Sequence, residues 1–165
     1  MGLQAVDSSF SVTYVPTGAY PYDFDNVQAA TEAFNTAAAS GVGVVYPYLG
    51  GAHEAVVQLA NDAGVAVLSA GSSDVCTRDG DISWDVAVRF DAGDYVAAIF
   101  PQILAGTVTE GETKMFKVGV DPEPGAVICN ANDEQQAAMD AVYAEIASGA
   151  LAGDFGAIKG EAYSG

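Results

Sequence analysis

The sequence has very few basic residues. It contains 5 Lys and Arg against 22 Asp and Glu in 165 residues, which gives a formal net charge of −17 at pH 7. A surface with this excess of negative charge repels the phosphate backbone of nucleic acids and the headgroups of anionic lipids. We therefore exclude nucleic acids and membrane surfaces as partners.

The sequence also lacks the residue patterns of common catalytic and metal sites. Its only histidine is His53, and its two cysteines have no Cys-x-x-Cys or Cys/His spacing of the kind that zinc sites use. No Gly-x-Ser-x-Gly motif is present, and a lone histidine has no placed partners for a catalytic triad. We expect no catalytic residues, no metal and no cofactor, and we interpret the chain as a non-enzymatic protein.

Features of exported and membrane proteins are missing or ambiguous. No apolar run is long enough to span a membrane, and the opening segment MGLQAVDSSF has neither the basic nor the apolar region of a signal peptide. Cys76 and Cys129 are either two buried thiols or one disulfide of an exported protein. Both possibilities stay open, because the sequence does not place the two sulfurs in space.

Apolar residues are abundant enough to form a folded core. Half of the residues are hydrophobic and 16% are charged, a balance that argues against global disorder. Short segments rich in β-branched and aromatic residues predict strands. The predicted strands are 10–17, 42–48, 65–70, 84–90 and 114–120.

Amphipathic segments alternate with these strands and predict helices. The predicted helices are 25–40, 53–63, 91–104 and 132–148. Gly41 and Gly64 stand where left-handed C-terminal caps belong, and Asn132 with Gln135 has the spacing of a capping box. Alternating short strands and helices predict an α/β fold with a doubly wound parallel sheet and flanking helices. The strand at 42–48 is expected to be buried on both faces.

Five segments, in order, carry a resemblance to a known family. They are SVTYVPTG with the loop YDFDN, then EAFNTAAASGVGVVYPYLGG, GVAVLSAGSSD, VAVRFDAGDYVAAIFPQILAGT and NDEQQAAMDAVYAEIASGAL. Their order and spacing resemble the C-terminal part of the BMP family, the PnrA-like nucleoside-binding proteins of bacterial ABC importers. The resemblance implies that residues 1–165 form a single α/β lobe of the type I periplasmic-binding-protein kind. The sequence shows no segment that resembles the family's N-terminal lobe.

The resemblance implies a transport function. The parent protein would be a substrate-binding lipoprotein, periplasmic or on the cell surface, with a nucleoside-like small solute as ligand and an ABC permease as partner. The alternative is a ligand-free structural or regulatory module of the same fold that oligomerises or binds a protein partner. In the family, the helix that corresponds to 91–104 packs on the lobe that is missing here. A homodimer through the apolar face of this helix is therefore expected.

The resemblance also implies that an aromatic side chain stacks on the ligand. The family places an aromatic residue for this purpose in the loop before its helix, and Phe24 matches that position best. Tyr20 and Tyr22 precede it in the same loop, and Tyr46 and Tyr48 are second candidates. Ordinary packing in the core or in a loop is the alternative for any one of these rings.

The double glycine Gly50-Gly51 lies between a predicted strand and a predicted helix. In the family this turn contributes to the ligand cleft, and backbone N–H groups at a helix N-terminus bind polar ligand atoms well. Both glycines are therefore predicted to bind ligand. The alternative is a tight turn that allows close packing of the helix.

Polar residues after the third predicted strand supply further candidates. The family has a carboxylate here that clamps ribose hydroxyls, and a lysine after the next strand; these positions fall on Ala70 and Val88 in this sequence. Ser72 and Asp74 are the nearby residues predicted to bind ligand. Asp74 or Arg89 would have to replace the family's charged groups.

Overall fold

The computed structural model describes residues 2–18, 23–90, 92–114 and 125–163. Among these residues lie six α-helices: α1 Gly2–Val6, α2 Val27–Ala39, α3 His53–Ala63, α4 Ala92–Leu104, α5 Asp133–Ser148 and α6 Ala152–Tyr163. Four short strands accompany them: β1 Val44–Val45, β2 Ala66–Val67, β3 Val86–Val88 and β4 Ala126–Ile128. The fold is therefore mixed α/β.

The chain divides into two compact units. Unit 1 comprises Met1–Val67 and Gly80–Ser83, and unit 2 comprises Leu68–Asp79 and Trp84–Gly165. The organisation of residues 1–165 as a single lobe stays a prediction.

The core of unit 1 lies between α2, α3 and the pair β1–β2. Strands β1 and β2 run parallel, as expected for a strand–helix–strand segment, with Val44 opposite Ala66 and Val45 opposite Val67. The buried apolar side chains of this unit come mainly from the two helices and β2: Ala30, Phe34, Ala52, Val56, Val57, Ala60 and Val67.

Helix α3 shows how the local sequence sets both the ends and the buried face of an element. It begins directly after the Gly50-Gly51 turn, and its bounds agree with the predicted 53–63. Val56 and Val57 lie one turn before Ala60, so all three face the core. The helix ends at Gly64, which has a φ of 67° and donates its N–H to the carbonyl groups of the last turn.

The prediction of a strand at 10–17 is wrong. Residues 10–16 have no regular secondary structure, and the side chains of Val12 and Tyr14 are 80% and 74% exposed. An isolated extended segment gains no ladder hydrogen bonds. A segment with alternating apolar and polar residues forms a strand only where a neighbouring strand pairs with it. Pro16 also removes one of the donors that such a ladder requires.

The expected burial of the strand at 42–48 on both faces is also wrong. Only Val44–Val45 form a strand, and the side chain of Val44 is more than half exposed. In the described residues the sheet of β1 has β2 as its second strand and no third. One edge of β1 therefore has no partner strand among the described residues, and the face that carries the Val44 side chain is exposed, although the sequence is as apolar as that of a buried strand.

Unit 2 contains the second sheet. Strand β3 pairs antiparallel with β4, with Val86 opposite Ile128 and Val88 opposite Ala126. The all-parallel arrangement expected from the sequence does not extend to this pair. The predicted strand at 114–120 lies almost wholly outside the described residues, and a doubly wound parallel sheet stays a prediction.

Helix α5 is docked on β4 by one tyrosine. Asn132 and Gln135 form the predicted capping box, in which each side chain accepts the other residue's backbone N–H. More than two turns further along the helix, Tyr143 accepts a hydrogen bond from the backbone N–H of Ala126 at 2.5 Å and donates to its carbonyl. Partial burial raises the pKa of the Tyr143 hydroxyl.

A disulfide joins Cys76 to Cys129 in unit 2. The two cysteines are therefore bonded to each other and are not two buried thiols. The bridge links the 3₁₀ turn Val75–Thr77 to the residue that follows β4, with the two Cα atoms 4.8 Å apart. The cysteines are 53 residues apart, and a loop of this length stabilises the fold by about 4 kcal/mol through the reduced entropy of the unfolded chain.

Helix α4 agrees with the predicted helix at 91–104 over all of its described residues. Its apolar face is uncovered in the structure, since Val96, Phe100, Ile103 and Leu104 are each more than half exposed. Helices α1 and α6 were not predicted from the sequence. No helix in the described part of the chain combines the length and the hydropathy needed to cross a membrane.

We predict that Phe34 is a principal contributor to the stability of unit 1. Its side chain is 6% exposed, and replacement by alanine should lower the free energy of unfolding by about 3 to 5 kcal/mol, because it removes a buried ring and leaves a cavity. Phe10, 45% exposed in the same unit, is the matched control, and its replacement should cost less than about 1 kcal/mol. Urea unfolding measures both; equal losses would contradict the placement of the core.

Candidate functional site

The segment before α2 is tied to the Gly50-Gly51 turn of unit 1. Gly50 donates its backbone N–H to the carbonyl of Phe24 at 3.0 Å, and Ala52 donates to the same carbonyl at 3.3 Å. Gly51 donates its backbone N–H to Oδ1 of Asp25. The turn and the N-terminus of α3 are thus fixed against the Phe24-Asp25 dipeptide.

The close approach of Asp25 leaves no space for a side chain at Gly50 and crowds one at Gly51. A Cβ atom on Gly50 would lie 2.6 Å from Oδ1 of Asp25, and one on Gly51 would lie 3.0 Å from the same atom. Nonbonded carbon and oxygen atoms do not approach this closely without displacing one another. The missing side chains therefore provide the space that the carboxylate occupies.

Asp25 also supplies an acceptor to the N-terminus of α3. The N-cap residue of this helix is Ala52, which has no side chain that accepts a hydrogen bond. A carboxylate near a helix N-terminus is stabilised by the helix dipole and by the amide groups that lack intrahelical partners. The anion that this turn binds in the structure is the protein's own Asp25.

The amide groups of Gly50 and Gly51 already have acceptors inside unit 1. The geometry of Gly50 and Gly51 is that of a tight, closely packed turn, which was the alternative interpretation of the double glycine. Their role as ligand donors stays a prediction. It would require a ligand atom to share or replace the Phe24 carbonyl and the Asp25 carboxylate.

Three aromatic rings lie together beside this turn. The Phe24 and Tyr48 rings meet edge to face with their centroids 6.3 Å apart, and those of Tyr46 and Tyr48 are tilted at 6.2 Å. The side chains of Phe24, Tyr46 and Tyr48 are 41%, 47% and 58% exposed. We call these three residues the aromatic patch. Tyr46 and Tyr48 follow the carboxyl end of β1, and Phe24 precedes α2.

The local backbone explains why the two tyrosines of the patch are neighbours. Tyr48 donates its N–H to the carbonyl of Tyr46 at 3.0 Å, and Leu49 donates to that of Pro47 at 2.9 Å. These successive tight turns bring Tyr46 and Tyr48 close together. Partial burial, and to a smaller extent Tyr48, raise the pKa of the Tyr46 hydroxyl. Tyr20 and Tyr22, the other predicted aromatic residues, lie outside the described residues.

Ser72 and Asp74 lie in unit 2, on a loop that Ser69 holds against β3. Ser69 is fully buried; its hydroxyl donates to the carbonyl of Ser72 at 3.2 Å and accepts the N–H of Val88 at 3.0 Å. A single buried hydroxyl thus connects the loop to the strand.

Asp74 forms an ion pair with Arg78 at 2.8 Å. The Arg78 hydrogen bond holds the pKa of the Asp74 carboxyl below its ordinary value. The Arg78 guanidinium in turn lies 5.5 Å from the ring centroid of Trp84, a distance typical of cation–π contact. Asp74 therefore lies in an ordered charged cluster.

An open pocket of about 460 Å³ adjoins this cluster in unit 2. Its lining consists of Ser73, Asp74, Cys76, Thr77, Arg89 and Val127. Asp74 and Arg89 were considered as ligand-binding residues from the sequence, and Ser73 was noted beside Asp74. The polarity of the segment 71–83 was the one sequence feature that pointed to Thr77. Cys76 and Val127 join the pocket through the disulfide and the pairing of β3 with β4, which no local pattern shows.

The remaining chemistry-bearing residues in the described part of the chain lie apart from one another. Among the described residues there is no group of three or more His, Cys, Asp or Glu side chains that could hold a metal ion. His53 is the first residue of α3, and its backbone N–H donates to the carbonyl of Gly50 at 3.0 Å. It therefore helps to close the turn at the backbone level.

Comparisons of the chain with protein-family models, with curated proteins and with solved structures give no match. The resemblance of the sequence to the BMP family therefore stays a prediction.

We predict that Gly50 cannot carry a side chain while Asp25 is present. Gly50→Ala should destabilise the protein by about 1 to 3 kcal/mol because the new methyl group overlaps the carboxylate. Gly43 is the matched control, since a Cβ there meets no atom within 4 Å, and Gly43→Ala should change stability by less than about 0.5 kcal/mol. Chemical denaturation compares the two variants.

The same substitution in an Asp25→Ala background isolates the contact. Removal of the carboxylate should relieve the overlap, so that the two mutations couple by at least about 0.5 kcal/mol. Strict additivity of the two losses would show that Asp25 is not the group that excludes a side chain at position 50.

Proposed function

We propose that the protein binds a small solute that contains a planar ring, of the nucleoside kind, at the aromatic patch of unit 1. The observation that supports this function is the exposure of three aromatic rings, with Tyr48 in contact with both Phe24 and Tyr46, beside the carboxylate of Asp25. Each exposed ring offers its own flat apolar face, on which a heterocycle can stack. Stacking of one base on an aromatic side chain contributes about 1 to 3 kcal/mol.

Asp25 supplies a polar group next to this surface. Its Oδ1 accepts the N–H of Gly51, and a carboxylate offers about four acceptor positions on its two oxygens. Hydroxyl or amino groups of a solute stacked on Phe24 would find an acceptor there. The arrangement combines an apolar face with an oriented acceptor, as small-molecule sites commonly do.

In this proposal the protein is a substrate-binding component of an ABC importer and not an enzyme, with a permease as partner of the full-length protein. The chain would then be one lobe with a doubly wound parallel sheet. Within unit 1, Gly50 and Gly51 would contribute further ligand contacts. The Cys76–Cys129 disulfide supports an extracytoplasmic location, because disulfides persist in oxidising compartments.

Calorimetric titration of the protein with purine nucleosides tests this function. We predict saturable binding that weakens about tenfold in Phe24→Ala and in Tyr48→Ala, because each variant removes one stacking surface. Tyr14, 74% exposed in the same unit, gives the control variant Tyr14→Ala, which should bind as the unmodified protein does. The absence of heat and of a melting shift at about 1 mM nucleoside would contradict the function.

A second candidate function is supported by the uncovered face of α4. We propose that, as a ligand-free structural or regulatory module, the protein forms a homodimer through this face. Val96, Phe100 and Ile103 recur at helical spacing, and contiguous exposed apolar patches of this kind mark interaction sites. The helix sequence AGDYVAAIFPQIL contains a single charged residue, Asp94. A second copy of this acidic chain therefore meets little charge repulsion along α4, in a self-complementary contact.

Light scattering across a range of concentrations tests the dimer. We predict twice the monomer mass for the unmodified protein and the monomer mass for the double variant Phe100→Asp/Ile103→Asp, because buried carboxylates without partners oppose association. Phe155→Asp places a charge at an exposed position of α6 in the same unit and should leave the dimer intact. A monomer at every concentration would contradict this second function.

A further inference from the structure

The Cys76–Cys129 disulfide joins two parts of unit 2 that are each held by other contacts as well. Both cysteine side chains are half-buried. Cys76 belongs to the 3₁₀ turn Val75–Thr77, and Cys129 directly follows β4. The bond therefore links one turn to the end of one strand. Its role depends on what else holds that turn and that strand in place.

The 3₁₀ turn has its own contacts within unit 2. Val75 is 4% exposed, so its side chain anchors the turn in the core. Thr77 donates its backbone N–H to the carbonyl of Asp74 at 3.0 Å, and its hydroxyl donates to the same carbonyl at 3.1 Å. The preceding loop is bonded to β3 through the buried hydroxyl of Ser69. None of these contacts requires the disulfide.

Strand β4 is likewise held by contacts that do not involve sulfur. Each of its residues is paired with a residue of β3, and Cys129 donates its backbone N–H to the carbonyl of Asp85 at 2.8 Å. Tyr143 of α5 binds both backbone groups of Ala126. We therefore expect unit 2 to stay folded when the disulfide opens, with the turn no longer tied to the strand.

The two sulfur atoms differ in their access from the pocket of unit 2. Cys76 is one of the lining residues, whereas Cys129 is not among the described residues of the lining. Thiol–disulfide exchange requires a thiolate to approach one of the two sulfurs, and its rate depends on that access. The volume of about 460 Å³ lies within the range of small-molecule sites, roughly 300 to 1,000 Å³. A small thiol that enters the pocket therefore meets Cys76.

The exchange reaction has a defined leaving group and consumes no oxidant or reductant other than the thiol. The incoming thiolate forms a new S–S bond with Sγ of Cys76. The bond between the two cysteines breaks, and its electron pair leaves with Sγ of Cys129, which then takes up a proton from water. The products are a mixed disulfide at Cys76 and a thiol at Cys129. In the reverse reaction the Cys129 thiolate attacks Cys76 and expels the small thiol.

We propose that Cys76 is a site of reversible modification by low-molecular-weight thiols, and that this modification disconnects the 3₁₀ turn from β4 while unit 2 stays folded. Disulfides persist in oxidising compartments, so the closed form is the resting state there and a thiol opens it. The proposal does not rest on the solute binding at the aromatic patch, because that patch belongs to unit 1.

The position of the adduct shows which sulfur is attacked. The folded, disulfide-bonded full chain is incubated briefly with 2-mercaptoethanol without denaturant, and N-ethylmaleimide then stops the reaction and alkylates free thiols. Trypsin separates the two cysteines for mass spectrometry, because Arg78 and Arg89 lie between them. We expect the mercaptoethanol adduct on Cys76 and the maleimide on Cys129, in at least about tenfold excess over the reverse product.

Three results of this experiment would overturn the proposal. One is adducts in equal amounts on both cysteines or mainly on Cys129. Another is a reaction rate that does not change with the concentration of 2-mercaptoethanol, because unfolding of the protein would then limit the rate. The third is an adduct that persists after the free thiol is removed by gel filtration, since the Cys129 thiol should close the bond again.

A bulky residue in the pocket lining tests the route of the thiol. Thr77→Tyr places a ring next to Cys76 and should slow the modification at least about tenfold, because it obstructs the approach to the sulfur. Thr109→Tyr makes the same change at an exposed position of unit 2 outside the described lining and should react as the unmodified protein does. Equal rates for the two variants would overturn the proposal. The position of the adduct in the unmodified protein decides independently of whether Thr77→Tyr folds.

Amide hydrogen exchange of the modified protein tests whether the fold survives. The Thr77 amide should exchange at least about tenfold faster than in the disulfide-bonded protein, because the turn is no longer tied to β4. The amide of Val142, within α5 of the same unit, should exchange at an unchanged rate. Equal acceleration of both amides would show that the fold of unit 2 requires the bond. That result, or unchanged exchange at Thr77, would overturn the proposal.

Discussion

The contact between the Asp25 carboxylate and the Gly50-Gly51 turn is the constraint on which unit 1 depends. It joins the start of α2 to the start of α3, supplies an acceptor that Ala52 cannot offer, and leaves no room for a side chain at Gly50. The Phe24 carbonyl, one residue earlier, accepts two further N–H groups of the same turn. These bonds hold the backbone of Phe24 where its ring meets Tyr48, so the aromatic patch is a consequence of the turn.

Unit 2 is organised by different interactions. The Ser69 hydroxyl joins the loop at Ser72 to β3, and the disulfide joins the following 3₁₀ turn to the end of β4. Between them these connections place Asp74 and Arg89 around one pocket.

Those parts of the structure that are encoded over a few residues were predictable from the sequence. Helix α3 ends at Gly64 and α5 begins at Asn132 as expected, because caps and helical spacing are local features. Strand partners are not local, which is why 10–17 was predicted as a strand although residues 10–16 have no regular secondary structure, and why the antiparallel pairing of β4 was missed. The double glycine was recognised, but the group that approaches it, 26 residues earlier than Gly51, was not. For the same reason the pocket lining was found only in part.

The central claim is that the polar groups of the Gly50-Gly51 turn are satisfied from within the protein by Asp25 and Phe24. Scalar couplings across hydrogen bonds, measured by NMR on the isotope-labelled chain, report such pairs directly. The account predicts a coupling from the Gly51 amide nitrogen to the side-chain carboxyl carbon of Asp25, and one from the Gly50 amide nitrogen to the carbonyl carbon of Phe24, with slow exchange of both amide protons. Absent couplings together with rapid exchange at Gly50 and Gly51 would contradict it, and would show that the turn holds its donors open to solvent.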